Sequence, residues 1–375
     1  FSTPAFAIQK SWSRKRMNPD KLVATIYEDE IPAFVETALE HLYANVFSSL
    51  SFLEIYGPAG GGLSTYVTQK NGRPNAVFLF RRTGNKLRVF NEGVRIDATE
   101  VDRFAGHMFA RFPDIGSISF NAVRTGSLRL SHPSRKFDCS EDIVVTLPAT
   151  VDDYLATLGK SSRKNIKRYL GKLTRDFPGL RQQVFVRDEV KEQDIRDILA
   201  FNHARMSAKN KTSAYDEEET QRVIRLVRLR GFVSILTIDG KLCAGEICTQ
   251  VGGNYFAHAG GHDSLYGDYR LGTLSCYLAI SECIRRGGSE FHLLWGQYEY
   301  KYMLAGVQQD LSHLTIYRSR AHAWMNSRTT LQLAVNACLR RLKSAAQKKP
   351  GAQALLHLLH NLRNMKRLMS GSMTR

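Results

Sequence analysis

Most side chains suited to binding or moving charge fall in or beside one stretch, Gly253 to Leu304. Its centre, Tyr269-Arg-Leu-Gly-Thr-Leu-Ser275, lies between a segment of β period, Gly253 to His262, and one of helical period, Leu274 to Arg286. That order predicts a strand, a glycine-bearing turn and a helix start. The first amides of a helix have no intrahelical acceptor and stand at the positive end of its dipole. Leu271, Gly272, Thr273, Leu274 and Ser275 are therefore candidates to cradle a phosphate through their backbone, with Arg270 adding a full charge and Gly272 allowing close approach. Arg163, Lys164 and Arg168, within Ser161-Ser-Arg-Lys-Asn-Ile-Lys-Arg168, are candidates to hold an anionic substrate. Titratable groups flank the centre: Glu246 and His258 before it, Tyr300 and Lys301 after it. His258 and His262 lack further ligands at metal spacing, so no metal is expected.

Strand, Arg-x-Gly turn, helix, Gly287-Gly288, a strand over Ser289 to Trp295 and then Gly296 with Tyr300-Lys301 resemble the coenzyme-A-binding half of the GNAT acyltransferase superfamily. Within it the chain is similar to the CelD-like and FemAB-like branch, and Ser161 to Arg168 resembles the segment that opens that branch's second domain. The turn departs from the commoner form: one residue fewer separates Arg270 from Gly272, and Leu274 stands where a small residue is usual. The resemblance implies acetyl-CoA or another acyl-CoA as co-substrate, held by Arg270 to Ser275 and Lys301. It also implies two central strands that splay apart at Ala257 to Gly261 and Phe291 to Trp295 to admit the pantetheine arm.

Acyl transfer needs a held donor, a proton acceptor and a group that stabilises developing charge. Glu246 is placed best as the base, with His258 competing, and Tyr300 lies where many GNAT enzymes protonate the departing thiolate. No Ser/His/Asp or Cys/His spacing points to an acyl-enzyme, so direct attack in a ternary complex is expected. The acceptor would be an amine or hydroxyl of a small metabolite or of a cell-envelope or polysaccharide precursor, and the acyl group short. Two alternatives stand beside this reading. FemAB-like enzymes use aminoacyl-tRNA as donor, and a basic adaptor without catalysis would bind anionic lipid or RNA.

The elements that must position these residues form an α+β chain of 375 residues, with six cysteines, none in a C-x-x-C pair, that fit a reducing, cytoplasmic setting. No apolar run reaches the roughly 20 residues of a membrane span. Four regions are expected: a basic arm over 1–20, a degenerate GNAT-like domain over 21–137, the catalytic GNAT domain over 138–318 and a basic amphipathic helical tail over 319–375. Each domain is expected to be a mixed, mostly antiparallel sheet flanked by helices. Hairpin turns at Asn71-Gly72, Gly84-Asn85 and Asp239-Gly240 mark the meanders, and Val151 to Phe177 reads as one long helix. The glycine cluster Gly57 to Gly62 reads as a loop, Asp138 to Asp142 as the crossover and Leu311 to Tyr317 as the last strand. Twelve of the 18 excess positive charges follow Asp310, after which there is no acidic residue. Ser327 to Lys343 and Ala352 to Met369 read as helices; the last is amphipathic and cationic, able to dock its leucines on the rest of the protein or to lie on an anionic membrane, and 319–375 is the candidate region for peripheral membrane contact.

Overall fold

The computed structural model describes residues 22–59, 62–127, 129–208, 210 and 213–347; the basic arm and the Ala352 to Met369 helix lie outside them. The first half runs β1 (Val23–Tyr27), α1 (Phe34–Tyr43), α2 (Leu50–Tyr56), β2 (Ser64–Lys70), β3 (Arg73–Thr83), β4 (Lys86–Val89), β5 (Arg95–Ile96), α3 (Ala98–Arg111) and β6 (Ser117–Thr125). β7 (Ser134–Thr146), α4 (Val151–Thr157), α5 (Lys160–Asp176), β8 (Arg181–Val186), α6 (Glu192–Ser207), α7 (Glu217–Arg230) and β9 (Gly231–Ile238) follow. Then come β10 (Lys241–Val251), β11 (Asn254–His262), α8 (Leu271–Arg285), β12 (Glu290–His292), α9 (Glu299–Met303), β13 (Val307–Tyr317), α10 (Arg320–Met325) and α11 (Ser327–Gln347).

The sheets of the two halves join into one of 13 strands, in the order β1-β2-β3-β4-β6-β13-β7-β12-β11-β10-β9-β8, with β5 on β6. The join is made by β13, which pairs antiparallel with β6 on one side and with β7 on the other. Arg318 reinforces it by donating to the carbonyls of Phe109, Phe112 and Ile115. Residues 137 and 138 thus lie inside a 13-residue strand, and the expected crossover at Asp138 to Asp142 is replaced by extended pairing with β13.

The tight turns form as their residues dictate: Asn71 and Gly72 (φ 54° and 75°) and Asp239 and Gly240 (φ 50° and 80°) both take the left-handed pair of a two-residue hairpin. The expected long helix divides into α4 and α5 because Leu158 turns its side chain into the core and Gly159 follows in extended backbone (ψ 147°). Ser49 accepts from the Phe52 amide and starts α2, a helix that the sequence reading left unassigned. One core packs α4, α5 and α8 against β9, β10 and β11, and another folds α3 onto the first half around Phe104.

Candidate active site

β11 and β12 run parallel and pair at Asn254↔Glu290, Tyr255↔Phe291 and Phe256↔His292; there the ladder ends. β11 continues to His262, while the segment after His292 parts from β11, stays bonded to Ile143 of β7 through Leu293 N and Leu294 O, and turns at Leu294 (φ 56°). The two strands thus part as a wedge, from Ala257 on one side and from Leu293 on the other; Phe291 and His292, expected in the splayed part, remain paired with β11. A bulge in β11 marks the point: Ile247 faces Ala259 and Cys248 faces Ala257, leaving His258 as the extra residue. Beyond it side chains take over from a strand partner. The Tyr215 hydroxyl donates to the His258 carbonyl at 2.6 Å, and Asn202 Nδ2 to the Gly260 carbonyl at 2.9 Å.

Lys301 keeps the opposite wall turned away. The residue is 3 % exposed, and its ammonium donates to the carbonyls of Leu293 (2.6 Å), Leu294 (3.1 Å) and Trp295 (2.6 Å). Those three bonds use every donor an ammonium has. The expected contact of Lys301 with cofactor is therefore corrected: the side chain is buried, points to protein carbonyls and shapes the strand end. Burial pulls its pKa down to about 8.

Glu246 lies on β10, opposite Gly260 of β11 and 8 % exposed. Its carboxylate rests on the bare Cα of Gly260, where a methyl group would come within 2.6 Å of Oε1. Burial raises its pKa to about 8, and the nearby Arg205 cation offsets this only in part. Arg205 presents a buried Nε without a hydrogen-bond partner among the described residues. The charge of Glu246 also acts on Cys276, Tyr215 and Tyr300, so these groups share one neighbourhood. Tyr300 is half-buried, and burial first, then Cys276 and Glu246, drive its phenol pKa far up, keeping the proton on oxygen.

His258 is held differently. Its Nε2 meets Thr249 Oγ1 at 2.8 Å, its ring stands 6.3 Å from Phe47, and burial lowers its pKa to about 4. The imidazole is neutral near pH 7 and a weak base. Of the two candidate bases, Glu246 has the pKa closer to neutrality, where a general base works best.

The helix start differs in detail from the sequence expectation. Arg270 adopts φ 53° and caps α8, and its carbonyl accepts from both Thr273 N (2.9 Å) and Leu274 N (3.1 Å). This left-handed residue starts the ladder at Leu271, ahead of the periodicity that begins at Leu274. The expected cradle is corrected accordingly: Thr273, Leu274 and Ser275 have amides committed to the helix or one turn inside it. Leu271 and Gly272 remain the amides that precede the ladder, beside the exposed Arg270. Leu271, Leu274 and Ser275 bury their side chains in the core beneath. Gly272 has a second reason to be glycine, since a methyl group there would lie 2.7 Å from His262 Nδ1.

α5 docks beside this helix start. Arg270 beside the Tyr169 phenol holds its pKa down, and the Arg168 guanidinium stacks 4.5 Å over the same ring. Lys172 lies 4.5 Å over Tyr269, whose hydroxyl donates to Asp176 at 3.0 Å. Arg168 thus joins Arg270 on the helix-start side of the wedge. Half-buried Arg163 and exposed Lys164 share α5 but are not drawn into this contact.

On the side where the halves meet, Phe47 brings an aromatic wall: its ring is 6.2 Å from Phe256 and 6.3 Å from Trp295. His292 stacks on Phe256 at 4.3 Å and bonds Asp142 through Nδ1 at 2.6 Å. Sequence reasoning missed Arg205, Asn202, Tyr215 and Phe47, which come from segments remote in the chain. The doublet Gly260-Gly261 was the available signal: Gly260 makes room for Glu246, and a methyl group on Gly261 would lie 2.9 Å from Phe201 Cβ of α6. No metal-holding group of three or more His, Cys, Asp or Glu occurs among the described residues.

Comparison with known proteins agrees with this geometry. Residues 160–302 match the acetyltransferase (GNAT) domain family model. Among solved structures the chain is similar to FemX, at 6% identity and a TM-score of 0.58, covering 79% of this chain and 98% of that one. It is also similar to L-PGS from Bacillus licheniformis, at 14% identity and a TM-score of 0.47, covering 82% and 98%. No curated protein matches it in sequence. The resemblance is borne out to this extent: residues 160–302 match a GNAT acetyltransferase domain, and the chain shares the fold of FemX.

Proposed function

Taking the GNAT domain over residues 160–302 as premise, we propose that the chain transfers a short acyl group from acyl-CoA to an amine of a small metabolite or envelope precursor. The observation that carries this reading is Glu246, a buried carboxyl with a pKa of about 8, set where β11 parts from β12. A thioester arm fits such a wedge, with its anionic end toward Arg270, Arg168 and the Leu271 and Gly272 amides. The amine attacks the thioester carbonyl, a C–N bond forms, and the C–S bond breaks as the tetrahedral adduct collapses. Glu246 accepts the amine proton, and Tyr300 donates a proton to the departing sulfur. Phe47 and Trp295, backed by the buried Phe256, face the acceptor.

The test is thiol release from acetyl-CoA and longer acyl-CoAs with a panel of amines, amino sugars and amino acids. Release that depends on acceptor and is lost in Glu246→Gln supports the reading. No coenzyme binding and no release across the panel would overturn it.

An aminoacyl-tRNA donor is the second reading, favoured by the cationic face of α5 and by the likeness in fold to FemX. Retention of charged tRNA, with aminoacyl transfer that needs Glu246 and no response to acyl-CoA, would put this reading first.

A further inference from the structure

α10 and α11 pack against β13 and β7 with one face and, among the described residues, leave another uncovered. The buried Ala337 marks the inner side of α11. On the outer side Leu331 (65 % exposed), Val335, Cys338 and Leu342 recur at intervals of four, three and four residues, which is a single helical stripe. Trp324 (78 % exposed) and Met325 extend it onto α10. Beside the stripe a groove of about 880 Å³ is lined by Trp324, Tyr317 and Leu331 together with Arg135, Arg320 and Arg328. Apolar surface and cations are therefore side by side on one face.

The charges here are not all spent inside the protein. Arg340 pairs with Glu141 and Asp310, and Arg341 with Asp138, which fastens α11 to the sheet. Arg320 and Arg328 form no ion pair among the described residues. On the C-terminal side, residues 343–375 add Lys343, Lys348, Lys349, Arg363, Lys366, Arg367 and Arg375 and no acidic residue. An anionic surface would supply their counter-charge. An RNA would satisfy the arginines and leave Leu331, Val335, Met325 and Leu342 in water. A bilayer with anionic headgroups satisfies both, since it offers phosphates at the level of the arginines and hydrocarbon just beneath for the stripe.

We propose that the face formed by α10 and α11 is a peripheral docking surface for an anionic phospholipid bilayer, with Trp324, Met325 and Leu331 entering the acyl boundary and Arg320 and Arg328 meeting headgroup phosphates. The acyl-transfer site is then held near the membrane, where envelope precursors are found.

The test is co-sedimentation of the full chain with vesicles of phosphatidylglycerol and phosphatidylcholine, against pure phosphatidylcholine vesicles, at low and high salt. Binding should need phosphatidylglycerol, weaken with salt and fall at least fivefold in the double variant Trp324→Ser, Leu331→Gln, which alters only exposed positions. Arg320→Gln with Arg328→Gln should reduce the preference for anionic vesicles. As a second readout, brominated acyl chains should quench tryptophan fluorescence in the wild type and lose most of that effect in Trp324→Phe. Undiminished binding in the Trp324, Leu331 variant would overturn the proposal, as would retention by RNA without vesicle binding or a solution dimer dissociated by Val335→Glu.

Discussion

The carboxylate of Glu246 lies on the Cα of Gly260 across the β10–β11 ladder, in contact so close that a β-carbon there would stand 2.6 Å from Oε1. Gly260→Ala should therefore move the carboxylate without touching any group that binds donor. The expected result is a drop in kcat of about a hundredfold, in the range for loss of a positioned general base, with KM for the donor little changed. Steady-state kinetics with donor and acceptor varied separately checks it, and wild-type kcat in Gly260→Ala would remove Glu246 from the mechanism.

The pKa of Glu246, about 8, also sets a pH profile. As a base it works only when ionised, so kcat/KM should rise through that region and level above it, and Glu246→Gln should be nearly inactive with a flat profile. Stability runs the other way. Between the ordinary value of 4.5 and about 8 the folded chain keeps a proton that the unfolded chain has lost. The folded state is favoured fully below that window and loses the advantage as pH rises through it. Chemical denaturation of wild type and Glu246→Gln across pH 5 to 9 should show the slope in the first and its loss in the second.

Lys301 is expected to act on the fold and not on phosphate affinity. Lys301→Met keeps the buried stem but leaves the carbonyls of Leu293, Leu294 and Trp295 without their shared donor. Loss of three charge-assisted bonds, offset by relief of a buried ammonium, should cost about 2–4 kcal/mol. Urea titration measures this cost. An unchanged midpoint together with weakened donor binding would restore Lys301 to the cofactor site.

The turns and strand–helix order of the second half were legible in the sequence because local rules govern them: Asp239-Gly240 supplies a left-handed pair, and Leu274 to Arg286 carries its own period. The parting of β11 and β12 was legible only through the family resemblance. What fixes it is not local, since Lys301 reaches back to residues 293–295 and Asn202 and Tyr215 come from α6 and the loop before α7. Tyr300-Lys301 was visible as a pair, yet which member faced the cleft depended on burial that spacing does not encode. The start of α8 was misread by a few residues because Arg270 takes a left-handed conformation rare outside glycine.

Arg270 and Arg168 meet on one phenol, Tyr169: both hold its pKa down, and Arg168 stacks 4.5 Å over the ring. Two cations held this close by an aromatic ring repel each other unless an anion shares them, so the pair is arranged for a multiply charged group. Arg270→Ala should weaken donor binding about tenfold, equivalent to about 1.4 kcal/mol. Arg168→Ala should do less, because a stacked exposed guanidinium is already screened. Tyr169→Phe should fall between them, since it keeps the stack and removes the phenol oxygen beside Arg270. Calorimetric titration with coenzyme A at low and high salt orders the three variants. If Arg270→Ala binds coenzyme A as wild type does, the anion enters by another route and the helix start has no part in holding the donor.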